Sequence, residues 1–322
     1  MGNKLAVLGE CMLEINLLSG DKATNGNRLP AGLSFGGDTL NTALYLARQD
    51  FPVEYVTALG DDHLSDWMLA QWQHERIGCA LVRRHKDSAP GLYLIETDEH
   101  GERRFLYWRD KSPARRLLDN PAEAQALFDQ LKTFPALYLS GITLAIFSPY
   151  ARECLLNFLG DFRRAGGKVI FDGNYRPKLW GAESLTQQAY QRIYRLTDIA
   201  LPTLEDEQQL FGDSNADAVI DRLQSFGVRE IVLKKGAAGC EIVAASGREQ
   251  VACERVVPVD TTAAGDAFNA GYLARRLSGG TTLESAQNGN RLAAVVIRHK
   301  GAIIPVSAMR DFEESSGMQE AG

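Results

Sequence analysis

Apolar residues along the chain alternate between short runs and helical spacing. An apolar run over 4–8 predicts a buried strand, and 10–17 continue as an alternating segment with Cys11, Leu13, Ile15 and Leu17 on one face. A polar loop with Gly20, Asp21, Asn25, Gly26 and Asn27 follows. Gly36-Gly37 then lead into a helical run whose apolar positions are Leu40, Ala43, Leu44 and Ala47. The pattern predicts a strand over 53–59 and a helix over 64–77. It next predicts a long hairpin, with strands over 92–97 and 103–109 around turn residues 98–102.

From 121 onward the alternation is regular. Helices are predicted over 122–131, 149–165, 185–196, 216–226, 264–277 and 283–298, and strands over 136–140, 169–171, 199–201, 230–233 and 241–245. Strands alternating with helices imply an α/β fold, a mostly parallel sheet covered on both faces. The segments 11–36 and 91–109 do not fit those layers and read as a small β lid. The main domain then comprises 1–10, 37–90 and 110–312, and 313–322 reads as a disordered tail.

Composition narrows the partners more than the fold. The 322 residues are 45% hydrophobic, enough for one large α/β domain, and no apolar run approaches a membrane span. Gly9-Glu10 interrupt the first apolar run, so no signal-peptide core develops. The five cysteines are scattered and lack a C-x-x-C pair, which argues against disulfides or zinc and suits a reducing cytoplasm. A net charge of -6 offers no basic stripe for nucleic acid. The five histidines show no metal-ligand spacing and read as surface residues.

The richest chemistry lies in 260–268, Asp-Thr-Thr-Ala-Ala-Gly-Asp-Ala-Phe. Val256, Val257 and Val259 predict a short strand running into it, and Phe268, Tyr272, Leu273 and Arg276 leave it at helical spacing. Thr261 and Thr262 suit helix capping, while Ala263, Ala264 and Gly265 leave backbone N–H groups free to meet an anion at the positive end of the helix. Asp266 suits either support of a helix start or a catalytic role, and the stretch alone leaves both open.

In parallel sheets, ligands bind beyond the carboxyl ends of the strands. Three predicted strands end in polar groups: Asp172 to Arg176, Thr203 to Glu207, and Lys234 to Gly239. Each also suits ordinary use as a turn former, acidic first turn or solvated charge. Together they have the composition of a nucleotide-phosphate and magnesium site. Asp38 and Asn41 share one side of a first helical turn behind Gly36-Gly37, and Arg109 beside aromatic residues suits a carboxylate clamp or an amphipathic strand end. Neither G-x-x-x-x-G-K-[ST] nor a strand-following G-x-G-x-x-G occurs, which removes Walker-type NTPases and dinucleotide dehydrogenases.

The stretches 35–43 and 260–271 resemble the two motifs of the ribokinase-like PfkB family of sugar kinases, and the resemblance spans about residues 4–306. Tyr107-Trp108-Arg109, Asp172 to Trp180 and Gly301-Ala302-Ile303-Ile304-Pro305 are most similar to its branch acting on 2-keto-3-deoxygluconate. The resemblance implies a three-layer sandwich with a β lid, ATP, Mg²⁺, and phosphoryl transfer to the terminal 6-hydroxyl of that acid sugar. It makes Asp266 the base and Ala263, Ala264 and Gly265 the anion hole. Gly36, Gly37, Asn41, Tyr93, Tyr107, Arg109 and Arg176 become sugar contacts. Asn174, Thr203, Lys234, Gly236, Gly239, Gly265 and Asn290 fall where the family binds nucleotide. The family's N-x-x-E motif aligns as Thr203 to Asp206, leaving Asp206 and Glu207 as magnesium candidates. A homodimer through the lid is expected. The competing readings are a neutral ketose kinase of the same fold and a non-catalytic sugar- or nucleotide-binding relative.

Overall fold

The computed structural model describes residues 4–17, 29–97 and 103–312. In chain order the strands are β1 (Leu5–Leu8), β2 (Met12–Leu17), β3 (Ala31–Gly36), β4 (Val53–Gly60), β5 (Val82–His85), β6 (Leu92–Thr97), β7 (Arg103–Trp108), β8 (Ala136–Ser140), β9 (Lys168–Asp172), β10 (Ile199–Ala200), β11 (Glu230–Lys234), β12 (Cys240–Ala244) and β13 (Gly247–Val251). The helices are α1 (Asp38–Arg48), α2 (His63–His74), α3 (Pro121–Leu131), α4 (Gly141–Ile146), α5 (Pro149–Arg164), α6 (Glu183–Arg195), α7 (Leu204–Phe211), α8 (Ala216–Ser225), α9 (Ala264–Leu277) and α10 (Thr282–Val296).

The large sheet runs β13-β12-β11-β10-β9-β8-β1-β4-β5. It is parallel from β11 to β5, and only β12 and β13 pair antiparallel. Successive side chains of a strand face opposite layers, so β1 feeds two cores. Leu5 and Val7 pack with Leu40, Phe268 and Leu292 of α1, α9 and α10; Ala6 and Leu8 pack with Leu127, Leu155 and Leu223 of α3, α5 and α8. The helix starts follow local chemistry. Asp62 caps α2, Asn120 with Pro121 behind it starts α3, and Thr281 with Glu284 forms a capping box on α10.

The structure differs from the sequence reading in several elements that were not predicted and in one that was. β5 and β13 carry mostly polar residues and sit at or near the sheet edges, and exposed edge positions impose no apolar alternation. α4 spans 6 residues, too few for a helical period to show. β3 was hidden by Gly32, Ser34 and Gly36, which blur its alternation. The strand expected over 256–259 is absent: Val257 and Val259 are 89% and 57% exposed, and the N–H groups of Val259 and Asp260 both go to the Ile297 carbonyl. The polar loop within 18–28, the hairpin turn at 98–102 and the tail 313–322 lie outside the described residues.

The second sheet runs β3-β2-β6-β7, with Leu13 opposite Phe35 and Tyr93 opposite Tyr107. Its strands come from the two segments that fell outside the layer scheme. Chain enters and leaves this sheet near Glu10, Gly37, Gly91 and Arg109, and these crossings crowd together. A Cβ on Gly37 would lie 2.3 Å from the Glu10 carbonyl oxygen. Gly37 has an ordinary extended φ of 174°, so space and not backbone strain requires glycine there. Gly37→Ala is therefore expected to lose about 1–3 kcal/mol of stability in urea denaturation. Gly32→Ala, with nothing within 4 Å of its added Cβ, is the control and should be close to neutral. Equal stability for the two variants would contradict the tight crossing.

Candidate active site

The first turn of α9 lies at the carboxyl side of the large sheet. Ala263, left-handed at φ 62°, is its N-cap and supplies no side-chain hydrogen bond. The capping expected of Thr261 and Thr262 is thus corrected. Asp260 does the fastening instead: its carboxylate accepts from the Thr262 N–H at 3.0 Å, the Thr262 hydroxyl at 2.7 Å and the Gly301 N–H at 2.7 Å. A short polar side chain after a sheet often closes such a turn on its own backbone. Within the helix start, Ala264 N–H and Ala267 N–H find backbone acceptors, whereas those of Gly265 and Asp266 find none among the described residues. Two amides are left for an anion at the positive end of the dipole.

Asp266 is buried beside this turn, and its carboxylate accepts a 2.8 Å hydrogen bond from the Asn41 amide. Burial, then the nearby Asp38 carboxylate, pushes its pKa up to about 8; the Asn41 hydrogen bond opposes them. Asp38 itself is raised by burial and by Asp172, against a hydrogen bond from Ser140. It accepts from the Asn174 amide at 2.9 Å, and Asn174 adopts φ 35°. Lys234 is buried, with its ammonium 3.0 Å from Asp172 and 3.1 Å from the Asn269 carbonyl oxygen. A Cβ on Gly265 would lie 3.6 Å from that ammonium, so a fixed positive charge sits under the anion turn.

A groove of about 840 Å³ opens beside the turn. Thr203, Lys234, Gly236, Gly239, Gly265 and Asn290 line it, together with the apolar Val256, Phe268 and Ile297. Gly236 and Gly239 take φ of 53° and 85°, values that glycine tolerates, in the turn joining β11 to β12. Such a mainly apolar cleft with a few fixed polar groups suits a flat heterocycle with a polar tail. Asn174 does not line it and faces Asp38 instead.

In the second sheet, Phe105 stacks on Tyr107, and Tyr93 is tilted against both, its centroid 5.9 Å from that of Tyr107. The Tyr93 hydroxyl donates to buried Glu14, which also accepts from Ser34 at 3.1 Å. Tyr107 is half exposed; burial raises its phenol, while the charges of Arg109 and Arg176 both oppose that shift, and the Arg109 guanidinium lies over the ring. Arg176 is half exposed and lies 3.6 Å from Asp206. Arg109 is buried in an ion pair with Glu10, which the sequence did not signal. Gly36 has its own close neighbour, since a Cβ there would meet the Tyr93 hydroxyl at 2.7 Å.

The model of the pfkB family carbohydrate kinases matches residues 3–309. The chain belongs to that family. It is 47% identical to the 2-dehydro-3-deoxygluconokinase of Escherichia coli strain K12, over 96% of this chain and 99% of that one. Among solved structures, a PfkB protein from Polaromonas sp. JS666 superposes with a TM-score of 0.82 at 23% identity, covering 95% and 99% of the two chains. A putative ribokinase II from E. coli, in complex with ATP and Mg²⁺, superposes with a TM-score of 0.81 at 20% identity, covering 97% and 99%. The fold is ribokinase-like, and the chain is an ATP-dependent carbohydrate kinase.

The acidic groups of this kinase fit magnesium unequally. Glu207 is a correction to the expectation: it is buried, receives the Tyr194 hydroxyl and lies 2.8 Å from Arg222, so its carboxylate is spent on α8. Asp206 accepts from the Tyr175 N–H at 3.2 Å and lies 3.6 Å from Arg176, both through Oδ2. Among the described residues, no group of 3 or more metal-ligating side chains occurs. Magnesium bound mainly through phosphate oxygens and water needs only one or two carboxylates, and Asp206 fits that sparse donor set. Asp38 and Asp172, which the sequence singled out at a helix start and a strand end without a named role, both act on Asp266.

A buried acid with a raised pKa gives a stability signature independent of activity. Unfolded Asp266 titrates near 3.8, folded near 8, so the folded state holds the extra proton between those values and loses stability as pH rises through that window. Asp266→Asn should therefore gain stability relative to the natural chain between about pH 4 and pH 8 and level off above it. Urea denaturation across pH 4–9 measures this, and a difference that stays constant would place the carboxyl at its ordinary value.

Proposed function

We propose that this kinase phosphorylates the terminal 6-hydroxyl of 2-keto-3-deoxygluconate, with Asp266 as general base. The observation that carries the chemistry is the placement of one raised, buried carboxylate beside two free helix-start amides. A base with a pKa near the working pH removes a hydroxyl proton most effectively. The Gly265 and Asp266 amides, with Ala263 and Ala264 shaping the turn, would meet the transferring phosphoryl group, and Lys234 adds fixed positive charge beneath it. Phosphoryl transfer needs such positioning and charge stabilisation more than covalent help. The 840 Å³ groove suits ATP, with Thr203, Gly236, Gly239 and Asn290 on its walls. Bound Mg²⁺ would neutralise phosphate charge, and Asp206 is the residue that would hold it, through water.

Asn41 would keep Asp266 aimed at the acceptor. Gly36 and Gly37 bring the lid base close to the main domain, while Tyr93 and Tyr107 would form an aromatic wall for the sugar. Arg109, over the Tyr107 ring, and Arg176, whose charge also acts on that phenol, suit a carboxylate. The identity of the acid sugar is inferred from the 47% identical relative and from those two cations. The ion pair between Arg109 and Glu10 favours one second reading, a neutral ketose acceptor, because it occupies part of the clamp. Five free cysteines suit a reducing cytoplasm. Exposed Leu33 and Trp108 on the lid suit a homodimer through that sheet, and sedimentation giving the mass of a single chain would remove that reading.

Kinetics on two variants test the assignment. Asp266→Asn should keep substrate binding and lose about 10²- to 10⁴-fold in turnover, with natural enzyme giving a product whose phosphorus couples to the C6 protons in NMR. Arg109→Ala should raise KM for the acid sugar about 10- to 100-fold and leave its uncharged carboxamide unaffected. Near-natural turnover of the first variant would sink the base, and equal effects on acid and amide would sink the clamp.

A further inference from the structure

The lid joins the main domain through four chain crossings, and one residue, Glu10, lies on or borders all of them. Glu10 lies on the first crossing, between β1 and β2. Its carbonyl oxygen is what a Cβ on Gly37 would strike, and its carboxylate oxygen Oε1 lies 3.3 Å from the Cβ position of Gly91. Its other oxygen, Oε2, accepts from the Arg109 guanidinium at the fourth crossing. Both partners are more than nine-tenths buried, with Glu10 at 2% and Arg109 at 7% exposure. The pair is also half-used: Glu10 Oε1 and Arg109 Nε are buried without a hydrogen-bond partner.

Those facts bear on how a carboxylate is recognised. A buried guanidinium without an anion is costly, and a flexible arginine relieves that cost by swinging into water. Glu10 therefore keeps the Arg109 group at the base of the lid. The unpaired Nε leaves donor capacity for a second acceptor. The guanidinium carbon lies 6.0 Å from the centroid of the Tyr107 ring, in the aromatic cluster that Tyr93 and Phe105 complete.

We propose that Glu10 is a positioning residue for acid-sugar recognition, holding Arg109 at the junction of lid and main domain so that its free donors meet the substrate carboxylate. This rests on the reading that Arg109 binds that carboxylate. Two effects of removing the Glu10 charge have opposite signs. Loss of an anion near the site would by itself strengthen attraction for an acid sugar. Loss of the anchor would release the guanidinium and weaken it. The direction of the KM change thus separates a positioned arginine from a merely neutralised one.

The test compares natural enzyme, Glu10→Gln, Arg109→Ala and the double variant, with 2-keto-3-deoxygluconate and its carboxamide as acceptors. Thermal melts and KM for ATP report on folding, and Glu10→Asp is a second variant that retains the charge. Glu10→Gln should raise KM for the acid about tenfold, with kcat and KM for ATP and the amide unchanged. It should add nothing in the Arg109→Ala background, and Glu10→Asp should recover much of the loss. An unchanged or lowered KM for the acid in Glu10→Gln overturns the proposal, as does a full additional effect in the double variant or an equal rise for the amide. If Arg109→Ala itself affects acid and amide alike, the underlying clamp fails, and that result is read from a different protein than the failure of Glu10.

Discussion

A carboxylate taken out of water next to other carboxylates holds its proton, and the site is arranged around that constraint. Asp266 is desolvated by its place in the first turn of α9 and faces Asp38 and Asp172 across the carboxyl end of the sheet. Unrelieved, three acids so close would oppose folding. Relief comes from Asn41 on Asp266, Asn174 on Asp38, and Lys234 with Asn269 on Asp172. Each acid thus has an amide partner from a different element, and the elements α1, β9, β11 and α9 are held in mutual register by polar contacts as well as by apolar packing.

The proposed phosphoryl transfer would draw on the same arrangement. Gly265 lines the groove that suits the nucleotide, while Asp266 is hydrogen-bonded to Asn41 of α1. Lys234 lines that groove too, bonded to Asp172 and lying under Gly265. The lid contributes no carboxylate to the central cluster. Glu10, at the junction, and Glu14, in the small sheet, are instead turned to Arg109 and to Tyr93, and under the proposed function they would shape the acceptor side.

Much of this was legible in the sequence because the elements that position the site are long and strongly patterned. The α9 helix, the strands that end at Asp172 and Lys234, and the two lid segments all follow from apolar spacing, and the motif residues around Gly37 and Gly265 stand out by type. What escaped was decided by contacts between distant residues. Nothing local distinguishes Asp206, which lies beside Arg176, from Glu207, which turns to Arg222; one step along a helix separates them. Nor does any spacing pair Glu10 with Arg109, 99 positions away. The valines at 256–259 carry strand propensity, yet this stretch runs exposed along the groove with no partner strand, a case of tertiary context overriding propensity.

The most direct measurement is a coupled assay of ATP consumption by the natural protein over 2-keto-3-deoxygluconate, its carboxamide and fructose at matched concentrations. The proposed carboxylate clamp of Arg109 and Arg176 predicts kcat/KM for the acid at least about 10²-fold above both neutral compounds, the size expected of charge-assisted hydrogen bonds left unpaired. Equal values for acid and neutral acceptors, or a preference for fructose, would contradict it.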